Sequence, residues 1–178
     1  MKLHFTNLMD SIDQAIEDIE RLCFQLNEKQ RSHDEETSRR HVIASILRKI
    51  DQPFMMQTDS GCRHYHGEYD LQHVNPKRRH ASARRGFLFT DIFLLTKHRR
   101  RSDRYTLKTV VTLQGAHIDD TPRSTLHLPS KCFSHLLVIS AREGVFLFAF
   151  EQADTRAHFM EHVDRCKTML ELAEMTLE

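Results

Sequence analysis

The sequence predicts an α+β protein: a long N-terminal helix, then seven short antiparallel strands, then a closing C-terminal helix. Three observations predict this order. Apolar residues recur at steps of three and four over the first 50 residues, at alternate positions after Cys62, and at helical steps again after Asp154. A chain of 178 residues has room for one ordinary domain and an extension, which excludes a large multidomain enzyme.

The N-terminal helix is predicted from one apolar stripe with acidic residues on the opposite face. The stripe fades over the polar residues 27–41 and returns at Val42, and we expect one continuous helix. Pro53 and Gly61 then bracket a stretch that cannot easily continue it. The apolar stripe consists of Phe5, Leu8, Met9, Ile12, Ala15, Ile16, Ile19, Leu22, Cys23 and Leu26.

Seven strands are predicted from alternating or continuous apolar runs bounded by turn residues. Residues 142–144 (Arg-Glu-Gly) are expected to form a hairpin turn. Two basic stretches, 75–85 and 97–104, are expected to be loops. The expected strands cover residues 65–71, 86–89, 92–95, 105–113, 125–128, 135–140 and 145–150.

The C-terminal helix is predicted to begin with Asp154 as its N-cap, because an aspartate oxygen can accept hydrogen bonds from the first free N–H groups. One face then carries a stripe from Phe159 through Val163 and Cys166 to Leu170 and Ala173. About seven antiparallel strands with one such helix make a small barrel or sandwich with the helix closing one open end.

Charge is concentrated in one segment. The whole chain has a formal net charge of +1, whereas residues 77–108 hold 11 Lys/Arg against 2 Asp/Glu. A local field of this kind suggests an anionic partner: a lipid surface, an acidic protein or a nucleic acid.

Several classes of protein are disfavoured. The sequence contains no apolar run long enough to span a membrane and no secretory signal, so we expect a soluble intracellular protein. Its four cysteines include no Cys-x-x-Cys pair, which fits a reducing compartment. No glycine-rich phosphate loop and no nucleophile with an oriented base can be recognised, so we expect neither an enzyme nor a cofactor.

The strand region resembles the pleckstrin-homology (PH) domain of Dbl-type Rho guanine nucleotide exchange factors. The resemblance lies in His66-Gly67-Glu68-Tyr69-Asp70-Leu71, in the hairpin FLFTDIFLLTK at 87–97, and in Tyr105-Thr106-Leu107-Lys108. It implies a seven-stranded antiparallel PH barrel with a C-terminal helix at 63–178. The family usually has a tryptophan in that helix, and here Phe159 occupies its place.

The N-terminal helix is similar to the last helix of the catalytic Dbl-homology (DH) domain, which precedes the PH domain in this family. The resemblance lies in Phe24-Gln25-Leu26-Asn27-Glu28-Lys29-Gln30-Arg31 and implies that Asn27 contacts a Rho-family small GTPase. We therefore assign 1–52 to the terminal DH helix and 53–62 to a linker. One helix should not catalyse exchange alone, because the exchange reaction needs a large preformed surface.

Both basic loops are expected on the same rim of the barrel, where they could form one positive mouth for clustered phosphates. At about 1 kcal/mol per basic residue, four to six engaged side chains give roughly 4–6 kcal/mol, which is weak peripheral membrane binding. Asp70 and Gln72 do not provide the basic residue that headgroup-specific PH domains carry near there. The predicted lipid-binding residues are Lys77, Arg78, Arg79, Arg84, Arg85, Lys97, Arg99, Arg100, Arg101 and Arg104.

These residues predict a regulatory, membrane-targeting module that is cytoplasmic and peripheral at the plasma membrane. The alternatives are a solvated loop pair with no ligand, and a protein-interaction module that binds a GTPase or cytoskeletal partner. A nucleic-acid partner is disfavoured, because the aromatic residues lie in apolar strands and should be buried rather than available for stacking.

Two smaller patterns remain. Cys62, His64 and His66 alternate and could begin a metal site, but a fourth ligand is not evident, and ordinary surface residues are the preferred interpretation. Ser82 and Ser102 each follow arginines, an arrangement that a basophilic kinase could accept.

Overall fold

The computed structural model describes residues 2–51, 63–75, 80–120 and 135–175, with side chains in the first helix described from residue 14 onward. The chain divides into two compact units, 1–42 and 43–178. The expected strand at 125–128, together with Cys62 and Cys132, lies outside the described residues.

Helix α1 runs without a break from Lys2 to Lys49, as predicted. Its polar middle is supported by ion pairs between residues three or four positions apart, which stabilise a solvated helix. Arg31 pairs with Glu28 at 3.4 Å, and Arg40 pairs with Glu36 at 2.8 Å. The helix therefore continues through a stretch that buries little apolar surface.

The second unit contains one mostly antiparallel sheet whose eight described strands are ordered β1-β5-β4-β3-β2-β8-β7-β6. A second helix, α2, follows the sheet at Ala153–Met175. The strands are β1 (Ile50–Asp51), β2 (Tyr65–Asn75), β3 (His80–Phe89), β4 (Ile92–His98), β5 (Tyr105–Thr112), β6 (His117–Asp119), β7 (Leu136–Ala141) and β8 (Gly144–Ala149).

The predicted count of seven strands was wrong, because eight lie within the described residues alone. Two of them, β1 and β6, are only two and three residues long, too short to show an alternating pattern. Strand β1 also pairs in parallel with β5, so the sheet is not wholly antiparallel.

The first basic stretch is not entirely a loop. Strands β2 and β3 extend to Asn75 and His80, which face each other in the register, so Arg84 and Arg85 lie within β3. The second stretch also begins in a strand, since Lys97 is the next-to-last residue of β4. Ladder hydrogen bonds to neighbouring strands outweigh the weak strand preference of charged residues.

The main core lies between the sheet and α2, where Phe93, Phe148, Phe150 and Phe159 are fully buried or nearly so. Phe159 takes the central place, with ring centroids 4.8 Å from Tyr69, 5.1 Å from Phe93 and 5.3 Å from Phe150. Its helical stripe is confirmed, because Val163 and Cys166 are buried with it. Asp154 lies in the first turn rather than at the N-cap, since α2 already begins at Ala153.

A second core lies on the opposite face of the same strands. The end of α1 contributes Ile46 and β1 contributes Ile50, which pack with Phe87, Phe89 and Leu94. Strand β4 is therefore buried on both faces, which explains its continuous apolar run.

Two further observations concern the cysteines and membrane-spanning segments. Cys23 and Cys166 are free thiols, the first exposed and the second buried. Neither described helix carries a stretch apolar and long enough to cross a membrane.

Candidate functional site

The strand order places the ends of two hairpins at the same end of the sheet. Strand β2 ends at Asn75 and β3 begins at His80, while β4 ends at His98 and β5 begins at Tyr105. Because β2, β3, β4 and β5 are antiparallel neighbours, the β2–β3 and β4–β5 connections leave the sheet at the same end. The first connection contains Lys77, Arg78 and Arg79, which lie outside the described residues.

The β4–β5 connection, which we call the arginine loop, comprises residues 99–104 and is exposed along its length. Two backbone hydrogen bonds hold it: Arg99 N–H donates to the Arg104 carbonyl at 3.0 Å, and Ser102 N–H donates to the Arg99 carbonyl at 3.3 Å. Within the described part of the chain, Arg100, Arg101 and the adjacent Lys97 form no ion pair. These three side chains are therefore available to an anionic partner.

The other two arginines of this loop are already paired to a carboxylate. Asp51, at the end of β1, forms ion pairs with Arg99 at 2.6 Å and with Arg104 at 3.1 Å. Lys49, the last residue of α1, pairs with Asp103 of the loop at 3.4 Å. The arginine loop is thus fastened to the end of α1 and to β1, which sequence reasoning did not predict.

Arg85 is also neutralised. Its guanidinium forms ion pairs with both Glu68 and Asp70, which share one face of β2. Partial burial acts to lower the pKa of Arg85, but the hydrogen bonds to Asp70 and Glu68 outweigh it and raise the pKa. An arginine held by two carboxylates is a poor ligand for a lipid phosphate.

Arg84, its neighbour, has a different environment. Partial burial lowers its pKa, and its Nη1 group donates to the Ala83 carbonyl at 2.9 Å. A recess of about 300 Å³ lies at this end of the sheet, large enough for a phosphate group. It is lined by Asp70, Ala83, Arg84, Arg85, His98 and Tyr105.

Asn27, the predicted GTPase contact, lies exposed on α1. On the same helix, several apolar side chains are largely exposed within the unit formed by residues 1–42. Phe24 is 67% exposed and Leu26 is 65% exposed. The described part of the stripe that predicted the helix, from Ile16 to Leu26, is therefore uncovered.

A polar cluster lies elsewhere, between β2 and α2. Tyr69 Oη and His162 Nδ1 are 2.6 Å apart, and His66 Nε2 lies 3.1 Å from Thr90 Oγ1. The rings of His158 and His162 have centroids 4.2 Å apart and are tilted by 52° to each other. Burial and neighbouring histidines lower the pKa values of His66 and His162.

This cluster does not form a metal site. Among the described residues, no group of three or more His, Cys, Asp or Glu side chains could hold a metal ion. His64 and His66 contact Thr90 instead, through a backbone N–H and a ring nitrogen respectively. The remaining member of the predicted pattern, Cys62, lies outside the described residues.

A long helix followed by a mostly antiparallel sheet and a closing helix also occurs in solved DH/PH structures of Rho exchange factors. The backbone matches that class among solved structures. No family model matches the sequence, and no curated protein matches it.

Among these structures, the apo form of an activated truncation of Vav1 has a TM-score of 0.58 and 20% identity over 75% of this chain. The DH/PH domains of p115-RhoGEF give a TM-score of 0.55 at 13% identity over 75%. A complex of the PDZ-RhoGEF DH/PH domains with GTP-γ-S-activated RhoA gives 0.54 at 13% over 76%.

The predicted resemblance is therefore confirmed at the level of the fold. The chain spans about a third of the length of the Vav1 structure it matches and about two fifths of the other two, since the covered shares are 33%, 41% and 41%.

The sequence did not reveal the carboxylates that form ion pairs with Arg85, Arg99 and Arg104. Glu68 and Asp70 are two residues apart on one strand and so share a face, which was a usable signal. Asp51 gave no such signal, because its arginines lie about 50 residues further along the chain. Only the parallel pairing of β1 with β5 brings them together.

Proposed function

We propose that this chain is the regulatory and membrane-targeting PH module of a Rho-family guanine nucleotide exchange factor, and that it binds anionic phospholipid. It acts in the cytoplasm, peripheral at the plasma membrane, and is not itself an enzyme. The observation that carries the proposal is that the arginine loop leaves the sheet at the same end as the last residue of β2 and the first of β3.

Three described cations, Lys97, Arg100 and Arg101, have no ion pair within the described chain. At about 1 kcal/mol each they contribute about 3 kcal/mol, and Lys77, Arg78 and Arg79 would roughly double that sum. About 6 kcal/mol corresponds to a dissociation constant in the range of tens of micromolar. Binding of this strength supports steering to a membrane rather than permanent anchoring.

The matched complex with RhoA supports a second partner for this chain, a Rho-family GTPase. In that structure, DH/PH domains bind activated RhoA. For this chain we propose a Rho-family GTPase as partner and Asn27 as one of its contacts.

The lipid proposal is tested by sedimentation with vesicles of phosphatidylcholine and 20–30% phosphatidylserine, with and without phosphoinositide. Replacing Arg100 and Arg101 by Ala should weaken binding about 30-fold, because about 2 kcal/mol of attraction is lost, and should flatten the salt dependence. Arg78→Ala with Arg79→Ala should act similarly. The matched control is Arg39→Ala with Arg40→Ala on α1, outside the site.

The proposal fails if both loop variants bind like the unmodified chain. A protein-interaction module is the second candidate, and the exposed apolar face of α1 favours it. That candidate gains if vesicle binding is absent while the chain still binds a Rho-family GTPase.

A further inference from the structure

The arginine loop contains a serine that the lipid proposal does not use. Ser102 follows Arg99, Arg100 and Arg101 directly and is exposed in the turn. Kinases whose substrate clefts are lined by carboxylates select serines preceded by arginines, because each guanidinium forms charge-assisted hydrogen bonds there. Ser102 therefore has both the sequence context and the exposure that such a kinase requires.

Ser82 has a similar sequence context but a different structure. It lies within β3, opposite His73 of β2, and is half-buried. A kinase would have to unpair this part of β3 from β2 to reach it. Opening the arginine loop requires the loss of two backbone hydrogen bonds, those between Arg99 and Arg104 and between Ser102 and Arg99, and of its ion pairs to Asp51 and Lys49.

We propose that Ser102 is a phosphorylation site for a basophilic protein kinase, and that its phosphate draws Arg99 and Arg104 away from Asp51. The Ser102 hydroxyl oxygen forms a bond to the γ-phosphorus of ATP. The bond from that phosphorus to the β–γ bridging oxygen breaks, ADP leaves, and the hydroxyl proton passes to a base of the kinase.

The exchange of partners follows from the charges and the exposure of the pairs. Asp51 holds Arg99 and Arg104 with one negative charge, and both arginines are more than half exposed, at 56% and 60%. The shared Asp51 side chain is only 20% exposed, so these pairs are partly screened by solvent and the phosphate has to outweigh them. A phosphate carries a charge of about −1.5 to −2 and presents three acceptor oxygens that match the arginine fork.

Arg99 lies directly across the turn from Ser102, since its carbonyl accepts the Ser102 N–H. Arg104 lies two residues further along the same loop, and Lys49 is already paired to the neighbouring Asp103. The phosphate therefore arises among the cations that now fasten the loop to the end of α1.

The effect should reach β1. Asp51 pairs with Thr106 in the ladder, and its neighbour Ile50 is buried with Ile46 of α1. Without its arginines, Asp51 loses the ion pairs that add to the ladder pairing and to the burial of Ile50 in holding this two-residue strand against β5. A modification on an exposed loop would thereby loosen the end of α1, an effect that requires no lipid.

The test uses the full chain, the catalytic subunit of cyclic-AMP-dependent protein kinase and MgATP, with phosphate mapped by mass spectrometry. We expect phosphate on Ser102, unaffected by Ser82→Ala and lost in Ser102→Ala. Amide hydrogen exchange is then measured on modified and unmodified protein. Residues 46–51 should exchange about three-fold faster or more after phosphorylation, the size expected for loss of partly exposed ion pairs.

Asp51→Asn supplies the matched comparison. Unphosphorylated, this variant should show the same faster exchange at 46–51, and phosphorylation should add little to it. Exchange in α2, at 159–166, should be unchanged throughout.

Absence of phosphate on Ser102, or equal labelling of Ser82, overturns the assignment of the site. Phosphate on Ser102 with unchanged exchange at 46–51 overturns the coupling to Asp51. Neither measurement contains vesicles, so the outcome is independent of whether the proposed lipid function holds.

Discussion

Gly86, in the middle of β3, should be intolerant of even one added methyl group. A Cβ at this position would lie 2.2 Å from Cζ and 2.4 Å from Cε2 of Phe93. Real contacts of this type are about 3.5 Å or longer, so the ring would have to move by more than 1 Å. The glycine is needed here because an aromatic ring lies directly over its backbone.

The ring cannot move easily. Phe93 is 0% exposed and packs against Phe148 and Phe159, with ring centroids 5.8 Å and 5.1 Å away. Forcing extra volume into a packed core costs about 1–3 kcal/mol, and the absence of free space places Gly86→Ala near the upper end, at about 3 kcal/mol. The conformational gain from replacing glycine in a strand recovers less than about 1 kcal/mol.

Urea denaturation followed by tyrosine fluorescence measures this loss selectively. The chain has no tryptophan, and its three tyrosines, Tyr65, Tyr69 and Tyr105, all lie in the sheet. The signal therefore reports on the sheet and not on the long helix.

Phe93→Leu provides the matched control because it removes the ring atoms that collide with the new methyl group. The double variant Gly86→Ala/Phe93→Leu should be more stable than the sum of the two single losses predicts, by about 1.5 kcal/mol or more. Additive losses, or a Gly86→Ala protein within 0.5 kcal/mol of the unmodified chain, would refute the packing argument.

Two further predictions concern pH and catalysis. Burial lowers the pKa values of His66 and His162, so the unfolded chain binds more protons near pH 6, and stability should fall as the pH drops below about 6.5. The free energy of unfolding, measured with urea at pH 7.5 and 5.5, should fall less for His66→Gln/His162→Gln than for His33→Gln, an exposed control on α1. Equal falls in this free energy would contradict the prediction. In nucleotide-release assays on Rho, Rac and Cdc42-type GTPases, the chain should leave the spontaneous rate unchanged, because one helix does not provide the large preformed surface that exchange requires; faster release would show that the first 50 residues contain more of that surface than we infer.

The order and type of the long elements could be predicted from the sequence, because periodicity is a local property. The 3.6-residue stripe around Ile16 and Ile19 indicated α1, and the stripe at Phe159 and Val163 indicated α2. The hairpin at 87–97 carried the most specific resemblance, and the solved structures confirm the fold that it implied.

Short elements and strand ends could not be predicted in the same way. Strands β1 and β6 are held by their neighbours rather than by a pattern of their own. The basic residues before Gly86 predicted a loop. Strand β2 nevertheless provides hydrogen-bond partners that extend β3 back to His80. Tertiary pairing outweighs local preference in both cases.

The sequence by itself determined that the positive charge is concentrated between residues 77 and 108. Only the tertiary structure decided which of those charges are available. Arg85 is held by Glu68 and Asp70, and Arg99 and Arg104 by Asp51, whereas Arg100 and Arg101 have no such partner among the described residues. The physical reason is that a charge count adds residues along the chain, while an ion pair requires two side chains within about 4 Å, a distance set by strand register and by the pairing of β1 with β5.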